Sequence, residues 1–264
     1  MVTAHSRYLD IAAELRARIR RGEWEPGANL PRMKDLATEL TANRDTVGRA
    51  IAVLESEGLV WAVPRRGTIV RHGLLRRMRL RSDIVTADTA DGHPGYSFFA
   101  ASGEERWQNH VPPAASVEVM TSPRLARLLG VTAGDAILRR HRVTGPPAEP
   151  PFQLCNSWIH PRGVRDAPEV AYQTAVSGAW LCQLEKAGHG PISWMEHHRS
   201  RLPTKDEAAA LQIPVVLPVL EIVRVGSSAK DNQPIEVSEY IIPGDRVETA
   251  HMLHRDESAA WPHG

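Results

Sequence analysis

The 264 residues contain two cysteines, Cys155 and Cys182, and they stand far apart. That count excludes a disulfide framework, and the spacing matches no metal or redox motif. Reduced thiols point to a cytoplasmic protein. No run approaches the 18 or so apolar residues of a membrane helix. The opening stretch, MVTAHSRYLDIAAELRARIRRG, lacks the apolar segment of a signal peptide, so neither export nor a membrane partner is expected. Aromatic residues are scarce at 5%, and Trp158, Trp180 and Trp194 read as core rather than as stacking platforms. Also missing are a glycine-rich phosphate loop, a nucleophile elbow and a defensible carboxylate pair. His197-His198 and His251…His254 are weak metal candidates, the second pair in a terminal segment with no further ligand nearby. We therefore expect no enzyme activity, no metal and no cofactor.

What is present is a charge asymmetry concealed by a net charge of +1. Residues 1–81 hold 16 Lys+Arg against 9 Asp+Glu, a balance of +7, and residues 82–264 hold 16 against 22, a balance of −6. A basic end on an acidic chain is the electrostatic footprint of a nucleic-acid-binding domain. At this length the chain has room for two domains.

The basic end is patterned. Residues 6–22 predict an amphipathic helix with Ser6 as N-cap, an apolar stripe of Tyr8, Ile11, Ala12, Leu15 and Ile19, and Gly22 at its end. Arg16, Arg18, Arg20 and Arg21 lie mostly off that stripe and read as a solvated face. Leu36, Ala37 and Leu40 form the inner face of a second helix, and Val47, Ile51 and Leu54 that of a third. Asn43 can cap the third, and Gly58 ends it. Residues 59–63 and 68–70 read as strands around the turn Pro64-Arg65-Arg66-Gly67. Two helices and a hairpin could be plain core, but with this charge the pattern predicts a helix-turn-helix with a β-wing. Arg44, Asp45, Thr46 and Gly48-Arg49 would then sit on the outward first turns of the recognition helix, beside a wing with two arginines at its tip.

These residues also carry a resemblance. Tyr8, Ile11-Ala12, Gly22-Glu23, Pro26-Gly27, Leu30-Pro31, Leu36-Ala37, Arg44-Asp45-Thr46-Val47, Leu54-Glu55, Gly58-Leu59-Val60 and Gly67-Thr68 resemble the winged helix of the GntR family of bacterial transcription regulators, over residues 6–71. The resemblance implies operator contacts at Lys34 and Arg44 and at the wing, Arg65, Arg66, Gly67 and Thr68. The usual arginine is replaced by Gly48, and Arg32 and Arg49 are its candidate substitutes.

Residues 72–95 read as a linker region, and 86–95 have loop composition. The basic run 71–81 that leads into it reads either as a phosphate-touching linker or as a strand joining the second domain. Residues 96–250 read as a second, α+β domain, with strands near 136–143, 152–159, 192–202, 219–225 and 235–242. Helices are expected at 125–129, 179–186 and 205–211, the last with a Thr204…Glu207 capping box. Residues 251–264 read as a tail. The order, with Arg140-x-Arg142, Ser157-Trp158-Ile159 and Pro234-Ile235-Glu236, resembles the UTRA effector-binding domain of the histidine-utilisation subfamily, a chorismate-lyase-like mixed α/β fold.

Arg140 and Arg142 share a strand face and could clamp an anion, or could pair with carboxylates such as Glu221 or Glu236. In amino-sugar-phosphate-sensing relatives, the resemblance implies that arginines at these positions and a serine near Ser97 hold the phosphate. Acidic groups near Cys155 and Glu236, and a tyrosine near Ile242, hold the sugar. Cys155 and Ile242 are not those polar partners, so a less polar, anionic effector is expected. The expected function is a ligand-responsive repressor that binds a palindromic operator as a homodimer. The alternative is an operator-binding regulator without a small-molecule signal, its second domain serving dimerisation or protein contact.

Overall fold

The computed structural model describes residues 4–63, 66–71, 73, 76–81, 85–88, 95–98, 107–147, 149–172, 179–251, 253–255 and 257–259. Ile11, Ala12, Leu15 and Ile19 recur at helical spacing and are fully buried, so α1 (Ala4–Arg20) forms one wall of the N-terminal core. The helix already runs at Ala4, which places Ser6 inside it rather than at its cap. Helix α2 (Met33–Glu39) buries Leu36, and α3 (Arg44–Ser56) buries Val47, Ala50, Ile51 and Leu54. Asn43 caps α3 by accepting the Thr46 N–H at 2.7 Å, and Gly58 turns the chain out of it at φ +73°, a left-handed conformation that favours glycine. Strands β1 (Val60–Val63) and β2 (Gly67–Val70) pair in register from Val60↔Val70 to Val63↔Gly67. The α1 arginines are not merely solvated. Arg16 pairs with Glu57 beyond α3, and Arg18 with Glu23 and Glu39 at 2.5 and 2.7 Å.

The stretch expected as a linker, 72–95, contains strands. Strand β3 (Arg77–Arg81) lies within it and pairs in parallel with β13 (Val247–His251), while β4 (Thr86–Asp88) and β5 (Gly95–Ser97) form an antiparallel pair. Within the run 71–81, residues 77–81 form a strand. Two of its arginines face protein: Arg71 is buried and bonds the Asp245 carboxylate at 2.9 Å and the Gln212 carbonyl at 2.9 Å. Arg77, also buried, forks onto Glu149 at 2.8 and 3.0 Å. The tail, too, starts inside an element, since His251 ends β13.

The second domain is one antiparallel sheet. It contains β6 (Gln108–Asn109), β7 (Ala114–Val119), β8 (Ala136–Gly145), β9 (Gln153–Ile159), β10 (Ser193–Arg201), β11 (Val219–Ser227) and β12 (Pro234–Pro243). The order is β10-β11-β12-β9-β8-β6, with β7 also on β8. Helices α4 (Pro123–Leu129), α5 (Pro161–Asp166), α6 (Ala179–Leu184) and α7 (Lys205–Leu211) cover it. The predicted strands and helices are present, and the Thr204–Glu207 capping box is formed. Strands β6 and β7, α5 and the 3-10 turn Pro168–Ala171 carry no strong period and were not expected. On the α4/α7 face, Glu221 is 1% exposed and takes Arg124 at 2.5 Å, Arg201 at 2.7 Å and Arg199 at 2.8 Å, and Arg201 also forks onto Glu207. Among the described residues no helix is long and apolar enough to cross a membrane, and no group of three His, Cys, Asp or Glu could hold a metal.

Candidate functional site

Two faces concentrate the chemistry. The first is built by the N-termini of α2 and α3. Arg32 is the residue before α2, and Lys34 lies in its first turn. Arg44 and Asp45 open α3, and Arg49 follows one turn later, all exposed. Together with Gly48 they line one open cleft. Exposed cations around a helix start suit phosphate, and a projecting helix suits the major groove. Thr46 is half-buried, with its N–H spent on the Asn43 cap. Arg49 lays its guanidinium over the Tyr8 ring, 4.1 Å from the centroid, which fixes its direction. On the wing, Arg66 and Gly67 are exposed and Thr68 half-buried, while Arg65 lies outside the described residues. Gly67 has φ +103°, and a Cβ there would stand 3.3 Å from the Asn29 side chain, so this turn needs glycine.

Arg66→Ala should weaken binding to all DNA sequences alike and lower the slope of log affinity against log salt by about one per wing, because the residue supplies charge rather than base reading. Anisotropy titrations at several KCl concentrations check this.

The second face belongs to the sheet. Strand register places Arg140, Ser157, Ser238, Arg224 and Glu196 in one row, and Arg142, Cys155 and Tyr240 in the next, all on one side. This face packs against α6 and against Tyr96 and Phe98. Arg140 is buried, and its Nη1 donates to the Val170 and Tyr172 carbonyls at 2.6 and 2.7 Å. Burial and the neighbouring Arg142 lower its pKa to about 10. The expected alternative partner Glu221 lies on the other face, with Arg199. Arg142 is half-buried and reaches the Cys155 sulfur at 3.8 Å. From Cys155 a chain of contacts runs through Ser157 and Ser238 (2.8 Å between hydroxyls) to Glu236, which accepts from Ser238 at 2.9 Å. Ser97 ends β5, and its side chain lies outside the described residues.

Sequence reasoning missed the centre of this face. Arg224, 2% exposed, donates to Glu196 at 2.8 Å and to the Tyr240 hydroxyl at 2.9 Å, and the Phe98 ring stacks on its guanidinium at 3.4 Å. Phe98 in turn meets Trp194 edge-on at 5.0 Å. The face is thus more polar than the losses at Cys155 and Ile242 imply, because Tyr240, Arg224 and the two serines supply other hydrogen-bonding groups. The available signal was alternation: 220/222/224 and 236/238/240 are same-face triplets in predicted strands.

Glu236 is 1% exposed, and among the described residues no partner lies within hydrogen-bond reach of its Oε1. Burial pushes its pKa up to about 7, against the opposing pull of Arg224, Ser238 and Trp194. A carboxyl raised in the folded state contributes stability that is full below its unfolded pKa and is lost as pH rises through about 7. Glu236→Gln cannot ionise. Relative to the parent it should gain about 2–3 kcal/mol between pH 5 and pH 8, read from urea melts at both pH values.

Comparisons with known proteins bear on both domains. Residues 7–70 match the model of bacterial regulatory proteins, gntR family, and residues 115–248 match that of the UTRA domain. An uncharacterised HTH-type transcriptional regulator of Streptomyces coelicolor is 26% identical over 259 residues, 97% of this chain and 91% of that protein. The HTH-type transcriptional repressor YtrA of Bacillus subtilis is 35% identical over 63 residues, 24% of this chain and 48% of that protein. A crystal structure described as a GntR-family transcriptional regulator superposes with TM-score 0.52 at 22% identity, covering 95% of this chain and 98% of that one, which speaks for the fold.

Proposed function

The chain belongs to the GntR family of bacterial transcription regulators, with a UTRA domain behind its winged helix, and we propose that it is a repressor released from its operator by a small-molecule effector. It acts in the cytoplasm as a homodimer on a two-fold symmetric site. Each protomer sets α3 in the major groove of one half-site and its wing beside it, and the dimer's symmetry fixes the half-site spacing. Arg44 and Lys34, with Arg32 and Arg49 beside them, supply the contacts to bases and phosphates.

The observation that carries this reading is the continuity between the two faces. Strand β12 bears Glu236, Ser238 and Tyr240, and it turns at 244–246 directly into the residues gripped by Arg71 and Arg77 at the foot of the wing. A ligand that prefers one position of β12 therefore biases the pose of the wing by its differential affinity. The effector is an anion-bearing molecule. Arg142 is the cation left for it, since two carbonyls hold Arg140 Nη1, and the serines, Tyr240 and Glu236 offer hydrogen bonds to its body.

A specific observation favours a second reading. Phe98 already covers Arg224, and the chain's own carbonyls hold Arg140, so the face could be filled permanently and serve packing only. A gel-shift of the full chain on its own upstream DNA, repeated with fractionated metabolites, separates the two. A shift reversed by an anionic fraction, with the reversal lost in Arg142→Ala, supports the effector. A shift that nothing reverses supports the signal-free regulator.

A further inference from the structure

The cleft on the DNA-binding face is not uniformly polar. Met33, at the start of α2, is 48% exposed among cationic neighbours, where an apolar side chain gains nothing from water. Its thioether does not fold back into the domain core, which is built without it. It leans over α3 at Gly48 instead: a Cβ built on Gly48 would meet the Met33 sulfur at 3.7 Å. Gly48 stands four residues beyond Arg44, on the next turn of the outward side of the helix. Any longer side chain at 48 would contest the space that the thioether occupies. The absence of a side chain there and the exposed methionine are therefore one arrangement, an apolar spot set between Arg32, Lys34 and Arg44.

We infer that Met33 is a base-reading residue and that its thioether contacts the 5-methyl group of a thymine in the operator's major groove. That methyl is the apolar group which a natural base pair displays there. An unbranched, polarisable thioether with three rotatable bonds conforms to such a target without demanding tight geometry. The inference rests on the DNA-binding reading above. It adds a residue from α2 to the recognition helix, and it makes the missing side chain at 48 a condition of the contact.

The test removes the methyl from the DNA rather than a group from the protein. Full-length chain selects duplexes from a random-sequence library, and the enriched duplex is remade with deoxyuridine at each thymine pair in turn, one symmetric pair at a time. Burial of one methyl corresponds to about fourfold in affinity per half-site, or about fifteenfold for the symmetric pair. We expect that loss at one symmetric thymine pair with the parent protein, and no loss there with Met33→Ala. Met33→Ala itself should bind the thymine duplex about fifteenfold more weakly with an unchanged salt slope, because no charge is removed. Indifference of the parent protein to every deoxyuridine substitution overturns the inference, as does an equal penalty in both proteins. If no sequence is enriched at all, the DNA-binding reading fails and the role of Met33 falls with it.

Discussion

Glu221→Ala is expected to lower the unfolding free energy by about 3 kcal/mol. The carboxylate is 1% exposed, yet it is the common acceptor for Arg124 from α4 and for Arg199 and Arg201 from β10. Removing it leaves three guanidiniums converging on an empty, desolvated point. Arg201 keeps Glu207, and Arg199 is half exposed and can turn to water, so the loss falls at the lower end of the range for a broken buried pair. Burial pushes the Glu221 pKa up, but the bonds from Arg199 and Arg201 and the nearby positive charges overcome this, and the net shift is downward. A depressed carboxylate contributes stability above its unfolded pKa that is lost as pH falls through its folded pKa. The gap between parent and variant should therefore be full at pH 7 and narrow below about pH 4. Urea melts at pH 7 and pH 3.5 decide it, and a difference below about 1 kcal/mol at pH 7 would mean that the arginines do not depend on this carboxylate.

Arg44→Ala should reduce operator affinity by roughly 30-fold or more while leaving the fold intact. Arg44 is the first residue of α3, exposed and unburdened by any core role, so its removal costs little stability. A base contact by an arginine carries about 1–3 kcal/mol of discrimination, and a two-fold dimer makes it twice, giving about 2–6 kcal/mol in all. Affinity for unrelated DNA should fall much less, because there Arg44 is one cation among several. Anisotropy with specific and scrambled duplexes measures both. Equal losses on the two would reassign Arg44 from reading bases to holding phosphate.

The two halves of the chain differ in how far the sequence disclosed them. The winged helix is made of local signals. The stripe Val47, Ile51, Leu54, the Asn43 cap and the Gly58 stop each act within a few residues, and each is found where it was expected. The sheet face around Arg224 is made of register. Arg224 meets Glu196 and Ser238 only because β11 lies between β10 and β12 in one particular alignment, and nothing within either strand fixes that. Strand β3 is an intermediate case: Arg77-Met78-Arg79-Leu80-Arg81 alternates strictly, but the alternation is masked by the irregular basic residues before it. Its partner β13 lies some 170 positions away in the chain, a pairing that no window on the sequence contains. The capping box at Thr204 was legible, whereas the role of the αL residue Gln212 at the other end of α7 was not, because its carbonyl is claimed by Arg71 from the other domain.

That claim has a mechanical consequence. The turn between β12 and β13 is pinned three times by the segment leaving the wing: by Arg71 on the Asp245 carboxylate, by Arg76 on the Asp245 carbonyl, and by the Arg77 N–H on the Arg246 carbonyl. A tether of similar length without these pins would have play in it, and small displacements at one end would be lost in the slack. Here the joint is riveted rather than strung. Under the proposed mechanism, a displacement of β12 would have no dead zone to cross before it reached the β1–β2 hairpin, so the gearing between the two domains would depend on the stiffness of one short turn and hardly at all on the length of chain that joins them.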